Sequence, residues 1–333
     1  MSCLPDRPQR ASRSGDFTPR RIKLHTLLHV VSPTIVIMRH LHTCALAWAF
    51  ALATAPVALA AAPGSDLSTP HSTAAQGASG ARQPAATGDL REKYAFPLNG
   101  RILHYRLYLP SRYDGSRALP LVVVLHGYMG NENSAFDEAP AGLHDILQRE
   151  AEHHGFIVLS PAGYDGRGDY GAHLALPVHA GVHIVRNRHE DDLAEADVLD
   201  VIRRVESSYR ADRRRVYLMG NSMGMTGTLY LAQKFPHMWC AIGPSDGPPW
   251  PDYPVLRLRA LSGAIFVNGD RDTIALTAGN RELAARVRAA GVDTRFVEVP
   301  DGTHASAWYL ALPQIFAFFA AHDCSRVNGR GAP

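Results

Sequence analysis

Leu121-Val122-Val123-Val124-Leu125 is an apolar run with no polar face. An alternating strand can rest one face in water. An unbroken one must be covered on both, which is the pattern of a parallel sheet with helices on either side. Mostly apolar runs recur at Phe156 to Leu159, Val216 to Met219, Met238 to Ile242 and Ala264 to Asn268, and a more polar strand-like segment at Thr294 to Val299. Between and after them lie segments with helical spacing: Ala141 to His153, Leu193 to Ser208, Met223 to Phe235, Arg281 to Ala290 and Ala307 to Ala321. Ahead of them, Arg101 to Leu109 alternates and stops at Pro110, as an antiparallel strand does. This order predicts an α/β fold: a mostly parallel, doubly wound sheet with helices on both faces and right-handed crossovers.

The first 89 residues do not share that pattern. Residues 1 to 37 hold six Lys/Arg against two Asp/Glu with no sustained period, and read as a misassigned extension. Met38-Arg39-His40, the apolar stretch Thr43 to Val57 and the small-x-small site Ala58-Leu59-Ala60 together read as a signal peptide over 38 to 60. The apolar stretch is shorter than a membrane span needs, so no stable anchor is expected after cleavage. Residues 61 to 89 have the Ala, Ser, Thr, Gly and Pro composition of a disordered linker, and the folded domain is expected from 90 to 327. The full chain is +3, but beyond residue 37 it carries 28 basic against 29 acidic residues, which excludes a basic surface for nucleic acid. The expected location is secreted or periplasmic. There Cys240 and Cys324 can pair, since the topology puts the start of the Met238 strand and the end of the last helix at the same sheet edge. Two buried thiols are the other reading.

Within the folded part, Gly220-Asn221-Ser222-Met223-Gly224 falls where the Val216 strand turns into the Met223 helix. G-x-S-x-G in that setting presents a serine on a sharp turn. A serine hydroxyl needs a base, and the base a carboxylate to hold its tautomer. In a parallel sheet these sit in the loops after later strands. His304 follows the Thr294 strand in Pro300-Asp301-Gly302-Thr303-His304, and Asp272 follows the Ala264 strand in Gly269-Asp270-Arg271-Asp272, with Thr273 as support and Asp270 as the alternative. An oxyanion would take backbone N–H groups from Met223 and from Tyr128, in the loop His126-Gly127-Tyr128-Met129-Gly130. His126 is expected to orient that loop.

Four segments in this order resemble the α/β-hydrolase superfamily: Leu121 to Gly127, Asp212 to Gly224, Phe266 to Asp272 and Gly302 to His304. Within it the chain is similar to secreted polyhydroxybutyrate depolymerase-like and feruloyl esterase-like enzymes and to prolyl oligopeptidase-like hydrolases. The resemblance implies Ser222 as nucleophile, Asp272 as acid and His304 as base, no cofactor or metal, and a small or polymeric ester as substrate. A serine peptidase and a non-catalytic binding protein on the same fold are the alternatives, and oligomeric state is left open. Met225 departs from the family's usual glycine and is expected to narrow the pocket or alter the helix start. The stretch from Pro244 to Leu261 is too short for a cap domain, so an open cleft bordered by Pro161 to Asp191 is expected. His173, His179, His183 and His189 suggest a metal site, but Gly171, Pro177 and Gly181 argue against a helix that would align them. Pro248 to Pro254 reads equally as an aromatic platform for substrate or as a stiff packed connection.

Overall fold

The computed structural model describes residues 86–174 and 187–324. The readings of residues 1 to 60, of most of the linker, and of His179 and His183 lie outside them. Eight strands form one sheet in the order β1-β2-β4-β3-β5-β6-β7-β8. They are β1 (Gly88–Ala95), β2 (Ile102–Leu109), β3 (Leu119–Leu125), β4 (Ile157–Pro161), β5 (Ala211–Asn221), β6 (Ala241–Ser245), β7 (Gly263–Gly269) and β8 (Thr294–Val299). β2 pairs antiparallel with β1 and β4, and the remaining pairs are parallel.

The helices are α1 (Ser134–Asp137), α2 (Ile146–His154), α3 (Arg188–Ser208), α4 (Met223–Lys234), α5 (Thr277–Ala289) and α6 (Ala307–Ala321). The unbroken apolar runs divide between two cores, as a strand with side chains alternating across a sheet must. Leu121, Val123 and Leu125 join the layer formed by α3, α4 and α5, with Val198, Leu229 and Leu283. Val122 and Val124 join the layer of α2 and α6, with Leu147, Ile315 and Phe316. Every residue of β4, β6 and β7 is buried, which explains why those strands show no polar face.

The fold is the mostly parallel, doubly wound sheet expected from the alternating pattern, in the arrangement that the α/β-hydrolase resemblance implies. β1 is the element that pattern does not disclose: it pairs with β2 over its whole length from Gly88. As an edge strand carrying Arg91, Glu92 and Lys93 it is mostly exposed, so its sequence is close to that of a polar linker. The helix expected from Ala141 starts at Ile146, because Gly142 sits at φ 84 and the preceding residues form turns. Cys240 and Cys324 are joined by a disulfide that ties the entry of β6 to the end of α6.

Strand β3 has β4 on one side and β5 on the other, so the chain reverses its direction of growth across the sheet at the β3/β5 boundary. A crevice opens beyond the carboxyl ends of strands at such a switch point. The loops after β3, β5, β7 and β8 all reach this edge.

Candidate active site

β5 ends at Asn221, and Ser222 is the residue from which α4 starts. Ser222 has φ 59 and ψ −117, a conformation non-glycine residues rarely hold. The two flanking glycines are forced by proximity. A Cβ on Gly220 would lie 2.4 Å from the Gly224 carbonyl oxygen, and one on Gly224 would lie 2.1 Å from the Leu125 carbonyl oxygen. The turn is therefore pressed against its own helix and against the end of β3. The Ser222 N–H donates to the Ser245 carbonyl at 3.0 Å, anchoring the turn to β6.

The Ser222 Oγ lies 2.9 Å from His304 Nε2, and His304 Nδ1 lies 2.8 Å from Asp272 Oδ2. The side chain of Asp272 is fully buried. Its Oδ1 accepts the N–H groups of Ile274 at 2.7 Å and Ala275 at 2.8 Å. These backbone donors support the carboxylate in the place expected of Thr273, which is exposed. Asp270 is exposed too, so burial separates the two carboxylates that the sequence offered. The turn holding Asp272 is braced by buried amides: Asn268 Nδ2 donates to the Ala275 carbonyl at 3.0 Å, and Asn280 Nδ2 donates to Asn268 Oδ1 at 2.6 Å.

Met223 is the first residue of α4, and its N–H belongs to the helical turn that has no intrahelical acceptor. The loop after β3 runs directly alongside, since a Cβ on Gly127 would be 3.4 Å from the Ser222 Cβ and 3.9 Å from Oγ. Tyr128 follows in that loop. His126 is buried, with Nδ1 2.7 Å from the Gly127 carbonyl and Nε2 2.8 Å from the Ala162 carbonyl. It ties the loop after β3 to the loop after β4, the orienting role read from the sequence. Burial pushes its acidity toward the neutral imidazole, against the pull of those carbonyls.

A cleft of about 310 Å³ lies over Ser222 and His304, with Tyr128, Met129, Trp308 and Tyr309 among its walls and Glu138 at its edge. Two expectations are corrected here, and a choice left open between two readings is decided. Met225 does not line this cleft: it is buried behind the turn, where its Sδ accepts the Gly247 N–H at 3.1 Å. The described part of the Pro161 to Asp191 segment packs behind His126, with Tyr170 donating to the His126 carbonyl at 3.1 Å, and does not border the opening. Trp250 packs edge-on against Tyr253, whose hydroxyl donates to the Leu229 carbonyl at 2.8 Å, so Pro248 to Pro254 is a packed connection. Among the described residues no group of His, Cys, Asp or Glu is arranged to hold a metal, and His173 is engaged instead by Asp192 at 2.8 Å. The sequence reading passes over Asp246. A carboxylate directly after a buried strand end, in Ser245-Asp246-Gly247, is the signal that marks it.

Residues 98–252 match the family model "Putative esterase". The substrate-bound fluorophosphonate-binding serine hydrolase F of Staphylococcus aureus superposes with a TM-score of 0.53 at 16% identity, covering 71% of this chain and 99% of that one. A ferulic acid esterase from the anaerobic fungus Anaeromyces mucronatus gives 0.53 at 17% identity, over 75% and 94% of the two chains. A thermostable esterase gives 0.52 at 21% identity, over 70% and 62%.

The chain has the α/β-hydrolase fold of these structures, and its residues 98–252 are similar to an esterase family. No curated protein matches its sequence. These matches lend the prolyl oligopeptidase likeness no support. The family match ends at residue 252 and so contains Ser222, Met223 and Tyr128 but neither Asp272 nor His304. The placement of those two beside Ser222 is a matter of this chain's own geometry.

Proposed function

We propose that the protein is a serine esterase in which Ser222 is the nucleophile, His304 the general base and acid, and Asp272 the carboxylate that holds the histidine. The observation that carries this reading is the continuous chain from Ser222 Oγ through His304 to buried Asp272, at 2.9 and 2.8 Å. His304 Nε2 takes the Ser222 proton as Oγ attacks the ester carbonyl, and Asp272 stabilises the imidazolium. The N–H groups of Met223 and Tyr128 receive the oxyanion, each worth roughly a hundred- to a thousandfold in rate. His304 returns the proton to the leaving alcohol. Water activated by the same histidine then releases the acid from the acyl-enzyme.

The substrate class is a bulky ester or a polymer end. Its support is a cleft walled by Trp308, Tyr309, Tyr128 and Met129, with no cap helix among the described residues. Export to an oxidising compartment is part of the same reading, supported by the signal-like stretch at 38 to 60 and by the Cys240–Cys324 disulfide. The test is a parallel assay of p-nitrophenyl acyl esters, aryl esters, polyester films and aminoacyl anilides, with Ser222→Ala as control. Turnover of the esters that vanishes in the variant is expected. Dominant anilide hydrolysis would make the protein a peptidase instead.

A further inference from the structure

β6 ends at Ser245, and the next residue is an aspartate that no solvent reaches: Asp246 is 0% exposed. Its backbone enters the left-handed region at φ 47, and its Oδ1 accepts the Gly269 N–H at 2.8 Å. The Gly269 carbonyl in turn accepts the Asp272 N–H at 3.3 Å, so Asp246 braces the turn that carries Asp272. The second oxygen of Asp246, Oδ2, is buried and has no hydrogen-bond donor among the described residues. Asp246 and Asp272 thus both hydrogen-bond to Gly269, the first through its side chain to the N–H and the second through its own N–H to the carbonyl.

Two carboxylates in one dry turn repel strongly, whereas one proton between them converts the contact into a hydrogen bond. The partners decide which group keeps it. Asp272 faces three donors: the N–H groups of Ile274 and Ala275 on Oδ1, and His304 Nδ1 on Oδ2. Asp246 has the Gly269 N–H on Oδ1 and the weaker pull of the Trp308 N–H besides, with no hydrogen-bond partner on Oδ2.

We propose that Asp246 is a neutral carboxylic acid whose Oδ2 hydroxyl donates to the carboxylate of Asp272, making it a positioning residue for the charge behind His304. The inference rests on the Ser222, His304 and Asp272 reading. Burial, reinforced by the Asp272 charge, holds Asp246 well above the usual carboxylate range, against the pull of the Gly269 and Trp308 N–H groups. The other contacts around this turn are uncharged. α4 offers the Met225 sulfur and α5 the Asn280 amide, both to Gly247. Asp272, with His304 behind it, is the titratable neighbour. A donor on Asp272 fixes its orientation and spreads its charge, so Asp272 favours the His304 imidazolium less than a lone carboxylate does.

The neutral acid has a close chemical copy in asparagine, whose Oδ1 can keep the Gly269 bond while Nδ2 donates to Asp272. Asp246→Ala is expected to lower kcat/KM about 10- to 100-fold and to move the acid limb of its pH profile upward. Asp246→Asn is expected to recover most of that loss with the acid limb where the wild type has it. An acid limb that moves downward in Asp246→Asn means a charge has been removed, and overturns the proposal. So does an Asp246→Ala profile that superimposes on the wild type. Should the alanine variant fail to fold, infrared spectra of wild type and Asp246→Asn decide. A protonated-carboxyl C=O band at mildly alkaline pH, lost in the variant, is expected, and its absence from the wild type refutes the neutral acid. Ser222→Ala run alongside keeps the two ideas apart: activity surviving there sinks the nucleophile, whatever the Asp246 profile shows.

Discussion

Ser222 holds a backbone conformation at φ 59 that costs roughly 1–3 kcal/mol, and the fold keeps it by wedging two glycines against carbonyl oxygens. Removing a member of the hydrogen-bonded chain is expected to cost far more in rate than in stability. His304→Ala should lower kcat on p-nitrophenyl esters by about 10⁴- to 10⁶-fold with an unchanged circular dichroism spectrum. Asp272→Asn should lower it by about 10⁴-fold, whereas exposed Asp270→Asn should stay within a few-fold, a contrast that steady-state kinetics resolves directly. Ser222, His304 and Asp272 were legible because each follows a strand that its own residues announce. Asp246 is marked in the sequence only by its place after a buried strand end, and what sets it apart, a buried Oδ2 with no hydrogen-bond partner, is a property of the packing.

Elements were legible in proportion to how completely they are buried. β3, β4 and β7 show almost no polar face and could be placed by inspection, whereas β1, an exposed edge, has the composition of a tether. Met225 illustrates the limit in the other direction. Sequence places it one turn into the helix after the nucleophile, where the pocket is a natural destination. Only the packing sends it backward to Gly247. Met225→Ala is therefore expected to cost about 2–5 kcal/mol in denaturant unfolding while the ranking of acyl chain lengths stays the same. A changed ranking would return Met225 to the cleft. Gly224→Ala should be worse, since its Cβ has a carbonyl oxygen at 2.1 Å and backbone must move to admit it.

At the scale of the molecule, two ties involve no residue that lines the cleft. The disulfide closes an 84-residue span between Cys240 and Cys324, and its removal in Cys240→Ala/Cys324→Ala should lower stability by about 2–5 kcal/mol. Ester turnover at low temperature should persist, because no cleft residue touches the disulfide. On the other side of the sheet, buried Asp197 accepts hydrogen bonds from the Tyr94 hydroxyl and the Tyr164 N–H. Burial pushes its pKa up to about 6. The folded protein thus binds this proton more tightly than the unfolded chain, so the contribution is complete below the unfolded value near 4 and is lost as pH rises through about 6. The stability of the wild type relative to Asp197→Asn should therefore decline between those two pH values in urea titrations. A difference that grows with pH would reverse the sign. The central claim, that Ser222 is the reacting atom's owner, is tested most directly by mass spectrometry after treatment with a fluorophosphonate probe. The account predicts a single adduct on Ser222, absent from Ser222→Ala and strongly slowed in His304→Ala. An unlabelled wild type, or equal labelling of Ser222→Ala, would contradict it.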